Sequence, residues 1–193
     1  MSSLRHTYLD AARACILDVG WRRTTLTEVA RRAGVSRMTI YRTWSDMPQL
    51  LGDLMTREWG AVVATTLART EQPGASDDAV TTLARGMVAA VSALRDNELF
   101  VRIVELDPEL LLPYLLSRRG RSQQALLELL RDQIAAGQTA GAIRAADADA
   151  VARSLLLASH GFVFSAQTMV DDDVSLADLD AELSELVERM LRP

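Results

Sequence analysis

The sequence predicts an all-α protein, and three observations support this fold class. Leucine and alanine, which rank among the strongest helix formers, supply 29 and 28 of the 193 residues. Glycine and proline together number 15, which excludes long irregular segments over most of the chain. No stretch of useful length alternates apolar and polar residues in the way that a strand with one buried face does.

Helical spacing of apolar residues begins near the N-terminus and is interrupted by residues typical of helix starts and ends. Gly20 ends the first predicted helix, and a capping box begins the second helix at Thr25. Gly34 ends the second helix, and Ser36 caps the third. The segment 71–78, EQPGASDD, is the clearest break in composition, and everything after it is predicted to be helical. The predicted helices span residues 4–19, 26–33, 37–43, 47–69, 79–95, 99–106, 108–117, 122–136, 147–168 and 176–191.

The formal net charge of −5 conceals an uneven distribution along the chain. Residues 1–52 hold eight arginines and four acidic residues, a net charge of +4, whereas residues 53–193 hold 13 arginines and 22 acidic residues, a net charge of −9. Such an asymmetry indicates that the N-terminal part meets a polyanion. All of the basic residues are arginine, which can bond bidentately to guanine or to phosphate.

Cysteine and histidine are too few for an intramolecular disulfide or for a metal site built from these residues. Cys15 is the single cysteine, which excludes an intramolecular disulfide, and its place on the apolar face of the first helix predicts a small core residue. With only His6 and His160 as histidines, we expect no metal site and no cofactor. No Glu-x-x-His pair, Ser-His-Asp set or glycine-rich phosphate loop indicates an enzyme. The longest charge-free run, 154–170, is 17 residues and too short to span a bilayer, so we expect a cytoplasmic protein without a membrane partner.

Residues 25–44, TLTEVARRAGVSRMTIYRTW, predict two short helices joined by a tight turn at Gly34. Ala30 is small where the two helices cross, and Ile40 is expected to face the core. This is the helix-turn-helix arrangement, which places its second helix in the major groove of DNA. Two short helices around a glycine also occur in helical proteins that do not bind DNA, but a purely structural turn needs no positive surface. The arginines that favour DNA binding are Arg31, Arg32, Arg37 and Arg42.

The solvent face of the second of these helices supplies candidates for base contacts. Arg37 and Arg42 suit guanine, whereas Met38 and the methyl group of Thr39 suit the thymine methyl. Hydroxyl groups, including that of Tyr41, suit phosphates, which position the protein without specifying sequence. The predicted DNA-binding residues are Thr25, Thr27, Ser36, Arg37, Met38, Thr39, Tyr41 and Arg42.

The helix-turn-helix lies within a longer pattern that runs from about residue 4 to residue 54. The pattern consists of Gly20, Thr24, Thr25, Glu28, Val29, Ala30, Ala33, Gly34, Val35, Ser36, Thr39, Ile40, Tyr41, Trp44, Leu50 and Leu51. With it the chain resembles the TetR family of transcriptional regulators. The resemblance implies a three-helix DNA-binding domain at 1–52, joined by a long helix to a helical effector-binding and dimerisation domain at 53–193. Met47 departs from the family pattern, which usually has a phosphate-gripping lysine there, and Met38 replaces a commonly small residue.

The function implied by the resemblance is that of a ligand-responsive repressor. Such a protein binds a palindromic operator as a homodimer and is released by a small-molecule effector. The alternative is a helical interaction module without specific DNA binding, which Met47 favours. Binding over a range of salt concentrations separates the two, because a specific palindrome with a steep salt dependence is expected only of the repressor.

Apolar stripes on the last two predicted helices indicate a four-helix bundle between two copies of the chain. The same stripes can instead fill the core of a single chain. The dimer is favoured because two-fold operators match two-fold proteins. The predicted dimer residues are Leu155, Ala158, Phe162, Ala166, Leu179, Leu183, Leu186 and Met190.

An effector pocket is expected to have a mostly apolar wall with a few polar groups. The effector is therefore expected to be largely apolar. Aromatic and methionine residues at helical spacing also occur in ordinary cores, so each candidate keeps that second interpretation. The candidates are Met87, Phe100, Ile103, Tyr114, His160 and Phe164.

Overall fold

The structure, a computed structural model, describes residues 3–70 and 78–193. Within these two ranges the chain forms ten α-helices and two short 3-10 turns, with no strand, which confirms the predicted fold class. The predicted break at 71–78 lies outside the described residues, apart from Asp78. The helices are α1 (Ser3–Val19), α2 (Leu26–Arg32), α3 (Arg37–Thr43), α4 (Met47–Thr70), α5 (Ala79–Arg95), α6 (Glu98–Leu106), α7 (Leu112–Leu116), α8 (Arg121–Thr139), α9 (Ala148–Phe164) and α10 (Leu176–Leu191).

The turns on either side of α2 form as predicted. Gly20 and Gly34 have φ angles of 82° and 69°, in the left-handed region that glycine adopts without a steric penalty. Ser36 caps α3, because its Oγ accepts a hydrogen bond from the Thr39 amide at 3.2 Å.

The predicted capping box of α2 forms only in half. The Thr25 hydroxyl accepts a hydrogen bond from the Glu28 amide at 3.2 Å. The Glu28 carboxylate, however, pairs with Arg31 one turn along the helix, with Arg31 Nη2 at 2.5 Å from Glu28 Oε1. An ion pair therefore takes the place of the return hydrogen bond to Thr25.

Two predicted helices are shorter by several residues in the structure than in the prediction. The expected helix at 108–117 is divided into a 3-10 turn at Pro108–Leu110 and the short helix α7. Pro113 explains the division, since a proline inside a continuous helix would clash with the carbonyl four residues earlier but fits a first turn. The helix expected at 147–168 ends at Phe164, and a 3-10 turn follows at Ala166–Met169.

The chain folds into two compact units, and the first consists of Met1–Gly60 and Asp96–Ser122. Within this unit α1 packs on α2 and on α6, and the Trp21 amide donates to Asp107 Oδ2 at 2.9 Å. This division differs from the predicted boundary between residues 52 and 53, because packing on α1 joins α6 and the segment after it to the N-terminal helices.

The core of the first unit is built around α1 and the indole of Trp44. Trp44 is completely buried, and its ring meets that of Tyr8 edge-on with 6.4 Å between centroids. Cys15 is buried as predicted, and burial raises the pKa of its thiol. The other fully buried large side chains of this unit are Leu9, Ile16, Ile40, Leu50, Leu54, Leu99 and Ile103.

The second unit consists of Ala61–Arg95 and Gln123–Pro193. Its helices α10 and α9 both pack against α5, and Arg95 Nη2 lies 2.6 Å from Asp180 Oδ2. One apolar cluster fills the space between α5, α8, α9 and α10. Its buried members are Val80, Ala84, Met87, Val91, Leu127, Leu130, Ile134, Ile143, Val151, Ala152, Leu155, Leu156, Leu183, Val187 and Leu191.

Gly137 permits a close approach between α8 and Ile143. A Cβ added at Gly137 would lie 2.5 Å from Ile143 Cδ1 and 2.8 Å from its Cγ1, and Ile143 is itself buried. We expect Gly137→Ala to lower the free energy of unfolding by about 1–3 kcal/mol, although alanine is the better helix former. Urea denaturation followed by far-ultraviolet circular dichroism measures the change.

Gly60→Ala is the matched control for this substitution. Gly60 also lies inside a helix, but a Cβ there would meet nothing within 4 Å. We expect Gly60→Ala to raise the free energy of unfolding by roughly 0.5–1 kcal/mol. A similar gain for Gly137→Ala would show that α8 and Ile143 do not approach each other closely.

Candidate nucleic-acid interface

Helix α3 turns one apolar residue inward and presents a mixed surface outward. Ile40 is completely buried, whereas the side chains of Met38 and Tyr41 are 77% and 45% exposed. Arg37 and Arg42 are exposed on the same helix. This face therefore offers two guanidinium groups and a thioether, the groups predicted to contact base edges.

The arginines of the predicted basic cluster differ in whether an acidic side chain forms an ion pair with them. Arg31 pairs with Glu28, and Arg32 forms an ion pair with Asp18 on α1. Among the residues that the structure describes, Arg37 and Arg42 have no acidic partner within ion-pair distance. Of these four arginines, the two without an acidic partner therefore both lie on α3.

The predicted hydroxyl contacts lie at the starts of α2 and α3. Thr25 and Ser36 are exposed, and Thr27 and Thr39 are half-buried. Ser36 Oγ and Thr39 Oγ1 lie 2.9 Å apart and share a hydrogen bond. The Thr39 hydroxyl is thus held against the helix start, beside the exposed side chains of α3.

The start of α4 carries an acidic group near Met47. Asp46 Oδ1 accepts a hydrogen bond from the Gln49 amide at 2.8 Å, and Gln49 Oε1 accepts one from the Ser45 amide at 2.9 Å. Asp46 thereby caps the helix with a carboxylate. A carboxylate repels phosphate, and residues 45–50 at this helix start include no basic side chain.

The structure separates the six predicted effector residues into two groups. Phe100 and Ile103 are buried on α6 in the first unit. Tyr114, in the same unit, is half-buried beneath Arg118, whose Cζ lies 5.0 Å from the ring centroid. Met87 lies in the apolar cluster of the second unit.

His160 and Phe164 are brought together in the second unit. Their rings meet edge-on with 6.2 Å between centroids, and His160 Nε2 lies 3.3 Å from the side-chain amide nitrogen of Gln123 on α8. Burial lowers the pKa of His160, which favours a neutral imidazole. This small cluster combines aromatic surface with two neutral polar groups.

The dimer prediction needs correction at three residues. Leu155 and Leu183 are completely buried within the single chain, and Ala166 is only 4% exposed, so none of the three offers surface to a partner. Leu186 is 43% exposed, as a contact residue requires. The remaining predicted dimer residues, which are half-buried, are Ala158, Phe162, Leu179 and Met190.

Leu157 is an exposed residue that the sequence pattern did not single out. Its side chain is 70% exposed on α9, and the neighbouring Gly161, one turn along, is also exposed. Leu157 lies in a run of three leucines, 155–157, of which the first two are buried. A run of identical residues gives no periodic signal, so the sequence could not show which of them points outward.

Metal-binding clusters and membrane-spanning helices are both absent from residues 3–70 and 78–193. No group of three or more histidine, cysteine or acidic side chains in these ranges is placed to hold a metal ion. No described helix combines the length and the apolar character needed to cross a bilayer.

The fold and the α3 surface together define a helix-turn-helix DNA-binding protein, and comparison with known proteins agrees. The sequence model of a family described as bacterial regulatory proteins, tetR family, matches residues 9–54. An uncharacterized HTH-type transcriptional regulator of Mycobacterium bovis is 36% identical over 176 residues, which cover 91% of this chain and 88% of the relative. The chain therefore belongs to the TetR family, whose members are transcriptional regulators and not enzymes.

Solved structures of other proteins have a similar fold. A protein of unknown function from a Rhodococcus species has a TM-score of 0.71 and 25% identity, and the match covers 100% of this chain and 97% of that one. The transcriptional regulator FadR from Bacillus subtilis, in complex with stearoyl-CoA, has a TM-score of 0.67 and 19% identity, with 96% and 98% of the two chains covered.

Proposed function

We propose that this chain is a ligand-responsive repressor that binds a palindromic operator as a homodimer through α3 and is released by a small-molecule effector. The observation that carries the proposal is the outward face of α3, on which Arg37 and Arg42 are exposed without an acidic partner among the described residues. Neighbouring Arg31 and Arg32 pair with Glu28 and Asp18, so the two arginines of this cluster without an acidic partner lie where a recognition helix reads bases.

Selection of bound sequences from random DNA identifies the operator and tests the proposal directly. A repressor of this kind selects a palindrome, and its affinity for that palindrome falls steeply with salt. The helical interaction module remains the alternative, supported by the carboxylate of Asp46 at the start of α4. Weak binding that is equal for all sequences would favour the module.

Substitution of the two free arginines tests the assignment of α3. We expect Arg37→Ala and Arg42→Ala each to weaken operator binding by about 1–3 kcal/mol if that arginine contacts a base, with relaxed preference at one operator position. Fluorescence anisotropy with the selected palindrome and its single-base variants measures both quantities.

Arg131→Ala is the control for these two variants, because Arg131 lies on α8 and its Nη2 pairs with Asp132 at 2.8 Å. It should leave operator affinity unchanged. Unaltered affinity in both α3 variants would refute the assignment of α3 as the recognition helix.

The proposed dimer face is formed by the outward sides of α9 and α10. Leu157 and Leu186 supply exposed apolar surface, and exposed Gly161 allows a partner helix to approach closely. The half-buried residues Phe162 and Met190 border the apolar cluster of the second unit. Two-fold pairing of these helices gives an isologous four-helix bundle.

The proposed effector is a largely apolar molecule that carries a hydrogen-bonding group. The cluster of His160, Phe164 and Gln123 supports this class, because it offers aromatic surface beside two neutral polar groups. The structural neighbour from Bacillus subtilis binds stearoyl-CoA, a molecule with a long apolar chain. Met87, in the same unit, remains a candidate for the apolar wall of this pocket, whereas Phe100, Ile103 and Tyr114 lie in the first unit.

A further inference from the structure

A buried carboxylate on α4 joins three elements of the first unit. Asp53 is 7% exposed, and its Oδ2 accepts a hydrogen bond from Trp44 Nε1 at 2.7 Å. The same oxygen is bonded by Arg5 from α1, and Oδ1 is bonded by Arg121, the first residue of α8. Burial alone would raise the pKa of this carboxyl, but the hydrogen bonds from its three donors hold the pKa below the ordinary value. The group is therefore an anion held by three donors.

Trp44 connects this carboxylate to the recognition helix. It is the residue that ends α3, and its own amide donates to the Ile40 carbonyl at 2.9 Å. Its indole is completely buried, and the guanidinium of Arg5 lies 5.5 Å above the ring. The hydrogen bond from the indole to Asp53 thus fixes the C-terminal end of α3 against α4.

Arg121 is the donor that the sequence gives least reason to expect. It lies 68 residues from Asp53 along the chain and outside residues 9–54, which carry the family pattern. Its side chain is 65% exposed, so its contribution to apolar packing is small. Its one ion pair in the described chain is the one with Asp53. Removal of Arg121 would leave a buried carboxylate with one of its two cationic partners missing.

We propose that Arg121 is a positioning residue for operator binding: with Arg5 it neutralises Asp53, which in turn holds Trp44 and the end of α3 in the orientation that reads DNA. This inference rests on the proposed function. It adds Arg121, at the start of α8, to the residues that support DNA binding, although Arg121 itself would contact no base.

A mutant cycle with the purified full chain tests the proposal. We expect Arg121→Gln to weaken binding to the selected operator about tenfold, and to have little further effect in an Asp53→Asn background, because the two residues act through one interaction. Arg131→Gln, on the same helix, is the control and should leave affinity unchanged. Far-ultraviolet circular dichroism of each variant verifies folding. Because Arg121 is 65% exposed and Asp53 only 7%, Arg121→Gln is expected to disturb folding less than Asp53→Asn.

A second readout separates positioning from direct binding of a phosphate. If Arg121 bound a phosphate itself, its substitution would reduce the salt dependence of operator binding by about one ion, and this effect would persist in the Asp53→Asn background. A positioning role leaves the salt dependence unchanged. The proposal would be overturned if Arg121→Gln reduced the salt dependence in both backgrounds. It would also be overturned if Arg121→Gln bound the operator with wild-type affinity.

The indole resonance of Trp44 tests the interaction without any DNA. Nitrogen-15 spectra of the free protein should show a shift of the Trp44 Nε1–H signal in Arg121→Gln and none in Arg131→Gln. If the wild-type chain bound no specific operator while this shift was present, the proposed function would fail and the link from Arg121 to Trp44 would stand. An unmoved Trp44 signal would refute the positioning role itself.

Discussion

Leu183→Ala is expected to lower the free energy of unfolding by about 2–5 kcal/mol, because the substitution leaves a cavity in a closely packed cluster. Leu183 is completely buried and lies on α10, which packs against α5. Urea denaturation followed by circular dichroism at several protein concentrations measures the change. The loss should be the same at every concentration, since the cavity lies within one chain.

Leu186→Ala provides the comparison on the same helix. Leu186 is only three residues further along but is 43% exposed. If it lies at a dimer interface, its substitution should change how apparent stability depends on protein concentration, because dissociation is coupled to unfolding. A loss of less than about 1 kcal/mol for Leu183→Ala would contradict its place in the core.

The double substitution Leu157→Asp with Leu186→Asp is expected to convert the proposed homodimer into a monomer. Two carboxylates per chain would be placed on an apolar interface and would lose hydration without gaining a partner. Operator affinity should then fall by at least about 100-fold, since the second recognition helix no longer binds as part of one molecule. Sedimentation velocity measures the oligomeric state, and anisotropy measures the affinity.

Leu116→Asp is the matched control for the double substitution. Leu116 is 78% exposed on α7 and lies in the first unit, outside the proposed dimer face. It should change neither sedimentation nor affinity. If the double variant still sedimented as a dimer, the dimer interface would not lie on α9 and α10.

Local signals predicted most of the helix boundaries correctly. Gly20, Gly34 and Ser36 act through their own backbone or through a residue three positions away, so the information needed to place them lies within one turn. The same argument explains the half-formed capping box. Glu28 had two partners within reach, and the sequence does not show that Arg31 is the one it binds.

Assignments that depend on distant parts of the chain could not be read from the sequence. The apolar spacing of α10 identified a stripe but not the helix that covers it, so buried Leu183 and exposed Leu186 were given one role. The ion pair between Asp53 and Arg121 joins residues 68 positions apart, and no local pattern indicates it. The placement of 96–122 with the N-terminal helices has the same origin, since it follows from packing on α1.

The division into two compact units has a consequence for spectroscopy. Every tryptophan and tyrosine of the chain lies in the first unit, and the second unit contains phenylalanine but neither of these two residue types. Intrinsic fluorescence and near-ultraviolet absorbance therefore report on the first unit alone, whereas far-ultraviolet circular dichroism records helices from both units. Coincident melting curves from the two methods would show that the units unfold together, and separate curves would give each unit its own transition. The chromophores that provide this distinction are Trp21, Trp44, Trp59, Tyr8, Tyr41 and Tyr114.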